Sequence, residues 1–239
     1  MLIKKFLKIS VIALCLIVSS NIQIQAASEP GLDVQAFMLA RQGKYSSAIR
    51  LMDQTIKNDS KNYMLYNTRA IIKENSGDIN GALADYSYAI SLNPSYDKAY
   101  QNRATLYVKT KQYSSATNDC NKLVSIKPSY ESYLTCGNIK LDSNLYSNAI
   151  TNFTKAITFV EKERAAFAKK VAEGSAFGTM NMSEFEGAYY GRGLAYYYIK
   201  NYDKAYSYFS MAIKCSPFNP DAYYYIGIIK NQKAINLMQ

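Results

Sequence analysis

Residues that could carry out catalysis are few in this sequence. The chain contains no histidine, which excludes a histidine-dependent triad, a histidine metal site and a histidine general base. The segment that interrupts the repeats could bring Glu161, Glu163, Glu173 or Ser183 to a site, but no activated nucleophile, phosphate-binding loop or metal-ligand cluster accompanies them. We therefore predict that the protein is not an enzyme and that it uses no metal ion and no cofactor.

The four cysteines fit neither a zinc site nor a redox motif, because no two of them have CxxC spacing. Cys120 and Cys136 fall on segments that should pack together, so a disulfide between them is geometrically feasible. A disulfide closing a loop of this length would contribute about 3 kcal/mol. Buried free thiols suit both places as well, since a thiol packs like a small apolar side chain. Both alternatives stay open, with free thiols as the preferred interpretation.

The first 26 residues have the composition of a secretory signal peptide. Three lysines precede an apolar run at 9–18, and Ala26 offers a small residue at the cleavage point. Ten helical residues span about 15 Å, roughly half of a bilayer's hydrocarbon thickness, so the run is too short for a stable transmembrane anchor. Lipidation at Cys15 is disfavoured, because Leu14 stands where a lipobox has a small residue. We therefore predict that residues 1–26 are a signal peptide and that the protein is exported, to the periplasm or outside the cell.

The charge of the chain indicates no nucleic-acid partner. The formal net charge is +10, and it becomes +7 without residues 1–26, which hold three lysines and no acidic residue. The remaining lysines are scattered, so no basic patch stands out. The excess of positive charge could favour peripheral association with anionic envelope surfaces, although a solvated basic exterior explains this charge more simply.

A 34-residue period organises the rest of the chain. Similar six-residue segments, each ending in alanine, begin at Gly43, Gly77 and Lys111, which are 34 residues apart, and again at Asn144 and Lys200. A period of this length is typical of stacked units that bury their apolar faces only against one another. Such arrays hold other molecules more often than they transform them.

The unit resembles the tetratricopeptide repeat, a pair of antiparallel helices. The shared pattern is a large residue and a small one on the first helix, then alanine, an aromatic, alanine and a closing proline. In the second unit these are Tyr66, Ala70, Ala82, Tyr86, Ala89 and Pro94. The resemblance implies an all-α fold, a right-handed α-solenoid of about five helix-turn-helix repeats with a C-terminal capping helix. We expect one domain at 27–239, with repeats at 29–62, 63–96, 97–129, 130–163 and 186–219, an insertion at 164–185 and the capping helix at 220–239.

The insertion interrupts the period between the fourth and fifth units. Residues 161–173 keep a helical pattern, which predicts that the second helix of the fourth unit continues past its usual end. Ser183 and Glu186 have the spacing of a capping box, which would open the next helix. The insertion is either a feature specific to the function or a tolerated surface segment, and the sequence leaves both alternatives open.

The resemblance also implies a binding surface. In proteins similar to this family, the first helix of each repeat lines a concave groove that holds peptides of partner proteins. The matching positions here are Asn67, Ile71, Glu74, Lys98, Gln101, Thr105, Val108, Leu134, Asn138, Leu141, Tyr190, Leu194 and Tyr197. Arg69, Arg103 and Arg192 recur at one further position, where a framework role is preferred to the binding of acidic groups.

These observations predict a non-catalytic protein–protein interaction scaffold or adaptor of the bacterial cell envelope. Its groove would bind a peptide or protein, with a lining that is polar toward the N-terminus and aromatic or aliphatic toward the C-terminus. The alternative is a small-ligand or glycan receptor that uses the tyrosine-rich C-terminal half. That alternative requires a closed pocket, whereas peptide binding requires an open groove.

Overall fold

The structure, a computed structural model, describes residues 31–176 and 181–237. Within these ranges the chain forms eleven α-helices and one short 3₁₀ turn, and no strand. The predicted all-α solenoid is therefore confirmed. The predicted signal peptide and Cys15 lie outside the described residues. None of the described helices is both long and apolar enough to cross a bilayer.

Helices alternate between two roles along the chain, and each packs against the next. The first helices of the successive repeats are α1 (Leu32–Arg41), α3 (Tyr63–Ser76), α5 (Asp97–Lys109), α7 (Tyr130–Asp142), α9 (Glu186–Tyr198) and α11 (Pro220–Leu237). The second helices are α2 (Tyr45–Asn58), α4 (Ile79–Leu92), α6 (Tyr113–Ile126), α8 (Tyr146–Ala172) and α10 (Tyr202–Cys215). The last of the first helices, α11, caps the stack through Ala222 and Ile229, which are fully buried.

The turn inside each repeat has the same backbone geometry. Its left-handed residue is Gly43 at φ 76°, Gly77 at φ 90°, Lys111 and Asn144 at φ 59°, and Lys200 at φ 62°. Glycine adopts this conformation without steric cost, whereas a side chain there is strained. The 34-residue period of the sequence is thus a period of turns that reverse the chain between two helices.

In the second, fourth and fifth repeats, the core is a small residue on the first helix facing an aromatic ring on the second. A Cβ placed on Gly137 of α7 would lie 2.4 Å from the ring of Phe153, and one placed on Gly193 of α9 would lie 2.8 Å from Phe209. Phe153 is also 2.4 Å from the Cβ position of Gly191. Its ring therefore fills the space between α7 and α9, and it joins the fourth repeat to the fifth.

Cys120 on α6 and Cys136 on α7 form a disulfide, with their Cα atoms 5.4 Å apart. That separation is ordinary for a disulfide. The preference for free thiols at these positions is therefore wrong: residue types alone do not show how closely the two helices approach each other. Cys215 is free and half-buried.

The insertion begins as a continuation of α8, which is 27 residues long. The predicted extension of this helix is confirmed, and nearly all of its side chains from residue 161 onward are exposed. The predicted capping box is wrong. Ser183 begins the 3₁₀ turn Ser183–Phe185 and donates its hydroxyl to Asn181 Oδ1 at 2.8 Å. Phe185 is buried against Tyr130, so packing sets the start of α9.

Candidate functional site

Two adjoining depressions lie along the first helices of the third, fourth and fifth repeats. One, of about 270 Å³, lies between α5 and α7 and is lined by Gln101, Thr105, Val108, Thr135, Asn138, Ile139 and Asp142. The other, of about 280 Å³, lies between α7 and α9 and is lined by Leu141, Asp142, Asn144, Tyr146, Leu194 and Tyr198. Asp142 belongs to both, so we treat them as one surface, the first-helix groove.

Helical spacing places these side chains on one face. Gln101, Thr105 and Val108 follow one another at intervals of four and three residues, the spacing of one side of a helix. Leu194 and Tyr198 are likewise four residues apart on α9. The opposite side of α5 is buried, as Ala99 and Leu106 show. Packing of that side against the rest of the stack therefore turns the groove side toward solvent.

The depression between α5 and α7 presents amides and hydroxyls. Gln101 Nε2 donates to Thr135 Oγ1 at 3.5 Å, which is long for a hydrogen bond. Asn138 is exposed and has no hydrogen-bond partner among the described residues. Both amides can therefore exchange solvent for the N–H and C=O groups of a bound chain at little cost.

The depression between α7 and α9 contains a pair of tyrosine rings. Tyr146 and Tyr198 stack with their ring centroids 5.1 Å apart, and Tyr146 donates its hydroxyl to Asn144 Oδ1 at 2.7 Å. Leu194 is half-buried beside them. This depression can receive an apolar side chain, and the shared carboxylate of Asp142 stands at its edge.

Six predicted residues line the first-helix groove: Gln101, Thr105, Val108, Asn138, Leu141 and Leu194. Two others make bonds between repeats. Asn67 is buried and accepts a hydrogen bond from Asn102 Nδ2 at 3.1 Å. Glu74 pairs with Lys109 Nζ at 2.6 Å and accepts the hydroxyl of Tyr86 at 3.1 Å. The remaining predicted residues outside the two depressions are Ile71 and Leu134, which are half-buried in the core, and Lys98, which is exposed.

Tyr190 and Tyr197 pack into an aromatic cluster that joins α9 to the capping helix. The Tyr190 ring lies 5.7 Å from Phe209, and the Tyr197 ring lies 5.0 Å from Tyr225. Burial, followed by the nearby carboxylates of Asp221 and Glu186, raises the pKa of Tyr190 to about 12. Neither tyrosine lines a depression, because both rings pack against other aromatic rings of the cluster.

Six groove residues were not predicted from the sequence: Thr135, Ile139, Asp142, Asn144, Tyr146 and Tyr198. A signal for Tyr198 was present, since it follows Leu194 by one helical turn and so shares its face. Asp142 is the last residue of α7 and Asn144 lies in the following turn. Helical periodicity assigns no face to residues beyond the end of a helix, so it could not place Asn144.

The recurrent arginines belong mainly to the framework. Arg69 binds Asp85 through two hydrogen bonds of 2.7 and 2.8 Å, and Arg103 binds Asp119 through two of 2.7 Å. The framework role is therefore confirmed for these two. At Arg192 the place of the acid is taken by Tyr208, whose ring centroid lies 4.3 Å from the guanidinium carbon.

No cluster of three or more cysteine and acidic side chains suited to a metal ion occurs in residues 31–176 and 181–237. The groove itself offers amides, hydroxyls, two tyrosine rings and one carboxylate. None of these is paired with a group that would activate it for covalent or acid–base chemistry. The arrangement can hold an extended chain through hydrogen bonds and apolar contacts.

Models of the tetratricopeptide repeat match residues 97–130 and 187–219. Among curated proteins, the tetratricopeptide repeat protein 6 of Homo sapiens is 27% identical over 124 residues, which cover 52% of this chain and 24% of that protein. The co-chaperone DNJ1 of Fusarium oxysporum, with tetratricopeptide repeats and a J domain, is 30% identical over 118 residues, covering 46% of this chain and 23% of that protein. The chain thus spans about a quarter of the length of these curated relatives.

Solved structures agree on the fold. A tetratricopeptide repeat protein from Parabacteroides merdae superposes with a TM-score of 0.63 at 19% identity, covering 87% of this chain and 74% of that one. YrrB, described as a protein of this repeat type with an unusual peptide-binding site, superposes with a TM-score of 0.56 at 19% identity, covering 77% of this chain and 84% of that one. At these identities the likeness concerns the fold alone.

Proposed function

From the tetratricopeptide repeats that this chain contains, we infer that it is a non-catalytic scaffold whose first-helix groove binds an extended segment of a partner protein. Proteins built from these repeats generally act as interaction scaffolds. The observation that carries the proposal is the pair of adjoining depressions that share Asp142. One offers the free amide of Asn138 and the weakly bonded amide of Gln101, and the other offers a tyrosine-lined wall. This is the combination that a peptide with alternating backbone and side-chain contacts requires.

The dimensions of the groove favour a peptide over a small ligand. Each depression, of 270 or 280 Å³, is open to solvent and below the usual range of about 300–1,000 Å³ for small-molecule pockets. The tyrosines that could have lined a glycan pocket, Tyr190 and Tyr197, are packed against other rings. We therefore favour a peptide, and we expect a basic residue of that peptide to lie near Asp142.

We also propose that the protein is exported and acts in the bacterial cell envelope. The composition of residues 1–26 supports export. The disulfide between Cys120 and Cys136 supports it as well, because disulfides persist in oxidising compartments and are rare in the cytosol. N-terminal sequencing of the protein expressed with residues 1–26 in a bacterium would give Ala27 as the first residue if cleavage occurs. An uncleaved, reduced cytosolic product would contradict export.

The groove can be tested with a library of random peptides panned on the chain from residue 27 onward. Peptides enriched on the wild-type protein are then titrated against Asn138→Trp, which fills the depression between α5 and α7. The matched control is Asn148→Trp, the same substitution at an exposed position of α8. We expect the enriched peptides to lose about tenfold or more in affinity for Asn138→Trp and to bind Asn148→Trp like the wild type.

Two results would contradict groove binding. Enriched peptides that bind Asn138→Trp as tightly as the wild type would place the binding surface elsewhere. A variant lacking residues 163–182 keeps Phe185, whose packing against Tyr130 sets the start of α9. If the enriched peptides fail to bind this variant but still bind Asn138→Trp, recognition belongs to the insertion and the projecting end of α8.

A further inference from the structure

Each complete repeat after the first closes in the same way, through a tyrosine and a small residue four positions later on its first helix. Tyr66, Tyr100 and Tyr189 are only 8, 7 and 5% exposed. The small residues beside them are covered by the second helix of the same repeat, as the 2.4 Å approach of Phe153 to the Cβ position of Gly137 shows. A first helix of this kind is therefore one half of an interface that a second helix completes.

The capping helix α11 has the same tyrosine and small residue, but no second helix packs over them among the described residues. Tyr223 and Gly227 have the spacing of Tyr189 and Gly193, yet Tyr223 is 52% exposed. No described atom outside its own helix lies within 4 Å of a Cβ placed on Gly227. Ile226 is half-buried and Lys230 is exposed. We call these four residues the open face of α11, and no helix within residues 31–176 and 181–237 covers it.

We propose that the open face of α11 is a docking site for an amphipathic helix of a partner protein, which takes the place that a second helix takes in each repeat. The repeats themselves define the chemistry of that helix. An aromatic ring must fill the space over Gly227, as Phe153 and Phe209 do over Gly137 and Gly193. Small residues one turn before and after the ring must let the two backbones approach.

Charge complementarity adds an acidic residue to this pattern. Lys230 follows Tyr223 by seven residues, as Lys73 follows Tyr66. The Nζ of Lys73 lies 2.8 Å from the carboxylate of Asp85, which directly precedes the aromatic residue of α4. Lys230 has no ion-pair partner among the described residues. The docking helix should therefore read Ala-x-x-Asp-aromatic-x-x-Ala, which α4 displays at Ala82, Asp85, Tyr86 and Ala89.

The described residues of a second copy of the chain do not present such a helix. The segments with this pattern are the second helices, whose alanines and aromatic residues are fully buried in their own repeats, as Ala82 and Tyr86 show. The terminal helix α1 is a first helix that exposes Phe37 and Met38, and its Asp33 lies one turn before Phe37 instead of directly before it as Asp85 precedes Tyr86. The open face also lies apart from the first-helix groove, since none of its residues lines either depression. The two sites can therefore be tested separately.

The test uses the whole chain and a synthetic peptide of residues 78–93, which carries the α4 sequence with its capping residues. We expect saturable binding with a Kd below about 1 mM by isothermal titration, weak because a free peptide of this length must become helical on binding. Gly227→Leu fills the space meant for the aromatic ring, and leucine favours helix more than glycine does, so the variant keeps its fold. We expect it to weaken binding by about tenfold or more.

Controls separate this site from its surroundings. Tyr224→Ala changes an exposed neighbour on the same helix, and Asn138→Trp blocks the groove; both should bind the peptide like the wild type. Lys230→Glu should weaken binding, and a peptide with Asp85→Lys should restore it. Undetectable binding to the wild type, equal binding to Gly227→Leu, or loss of binding in Asn138→Trp would each overturn the proposal. Concentration-dependent self-association that Gly227→Leu removes would assign the open face to a second copy of this chain and would also overturn it.

Discussion

The arginine–aspartate pairs show how single residues hold neighbouring helices together. Arg69 contacts Asp85 in its own repeat and Asp53 of the preceding repeat at 2.7 Å. The two carboxylates differ in environment, since the Asp85 side chain is 7% exposed and that of Asp53 is 52% exposed. The buried pair therefore links two helices across a low-dielectric gap, whereas the outer pair is weakened by solvent.

This difference can be measured with two matched substitutions. Asp85→Ala should lower the free energy of unfolding by about 3 kcal/mol, because it leaves Arg69 and Lys73 without the acid that neutralises them. Asp53→Ala should lower it by less than about 1 kcal/mol. Urea denaturation monitored by circular dichroism gives both values. Equal losses in the two variants would contradict the assignment of the buried pair as the stronger one.

Two half-buried tyrosines predict a loss of stability at alkaline pH. Burial raises the pKa of both Tyr190 and Tyr130 to about 12, above the ordinary value near 10 that applies to the unfolded chain. The folded protein thus holds these phenolic protons more tightly than the unfolded chain does. Their contribution is present below about pH 10 and is lost as the pH rises toward 12.

Tyr190→Phe should therefore flatten the fall in urea midpoint between pH 9 and about pH 11, because phenylalanine has no proton to lose. The exposed Tyr224→Phe serves as the matched control and should keep the slope of the wild type. Should both variants behave alike, the alkaline transition would come from groups other than the half-buried phenol of Tyr190.

At the scale of the helices and turns, the turn inside each repeat has one backbone conformation but is formed by different residue types. Gly77 adopts φ 90° without a side chain, while Lys111 holds φ 59° with one. Replacing Lys111 by glycine should therefore raise the free energy of unfolding by up to about 1 kcal/mol. Lys122→Gly, at an exposed position inside α6, should lower it by about 1 kcal/mol. Thermal denaturation of the two variants distinguishes these outcomes, and a fall in both would mean that the turn at Lys111 is unstrained.

The helix pairs and the extension of α8 were predictable, because turn residues and apolar spacing recur along the chain. Interactions between repeats were not. Glu74 has the spacing of a groove residue, but Lys109 and Tyr86 bind it, and both partners belong to other helices. The disulfide was not predictable either, since it depends on the 5.4 Å approach of the Cα atoms of Cys120 and Cys136. A period identifies which residues share a face, and only packing decides whether that face remains free.

At the scale of the whole molecule, the core is a series of local clusters instead of one centre. The cluster that includes Met52 and Ile56 involves the first two repeats and the start of the third, whereas that of Phe209 and Ile229 involves the last repeats and α11. Each helix contacts mainly its neighbours in the chain. Stability in such an array is approximately a sum of local contributions.

A destabilising substitution in one repeat should therefore affect mainly that repeat and its neighbours. Met52→Ala removes a fully buried side chain and should cost about 3 kcal/mol where it is packed. Hydrogen exchange read by mass spectrometry should show faster exchange in α1, α2 and α3 and little change in α9, α10 and α11. A uniform acceleration along the chain would instead indicate that the array unfolds as one cooperative unit.

The ring of Phe153 limits how this chain could have been shortened or lengthened by whole repeats. It fits because Gly191 leaves it room, and the capping helix has Tyr225 at the position that corresponds to Gly191. Excising residues 186–219 would bring Tyr225 onto Phe153, so the two rings would compete for one space. The repeats share one period, but among the described residues only the fifth repeat has glycine at that position. Its place in the order of repeats is therefore constrained by shape.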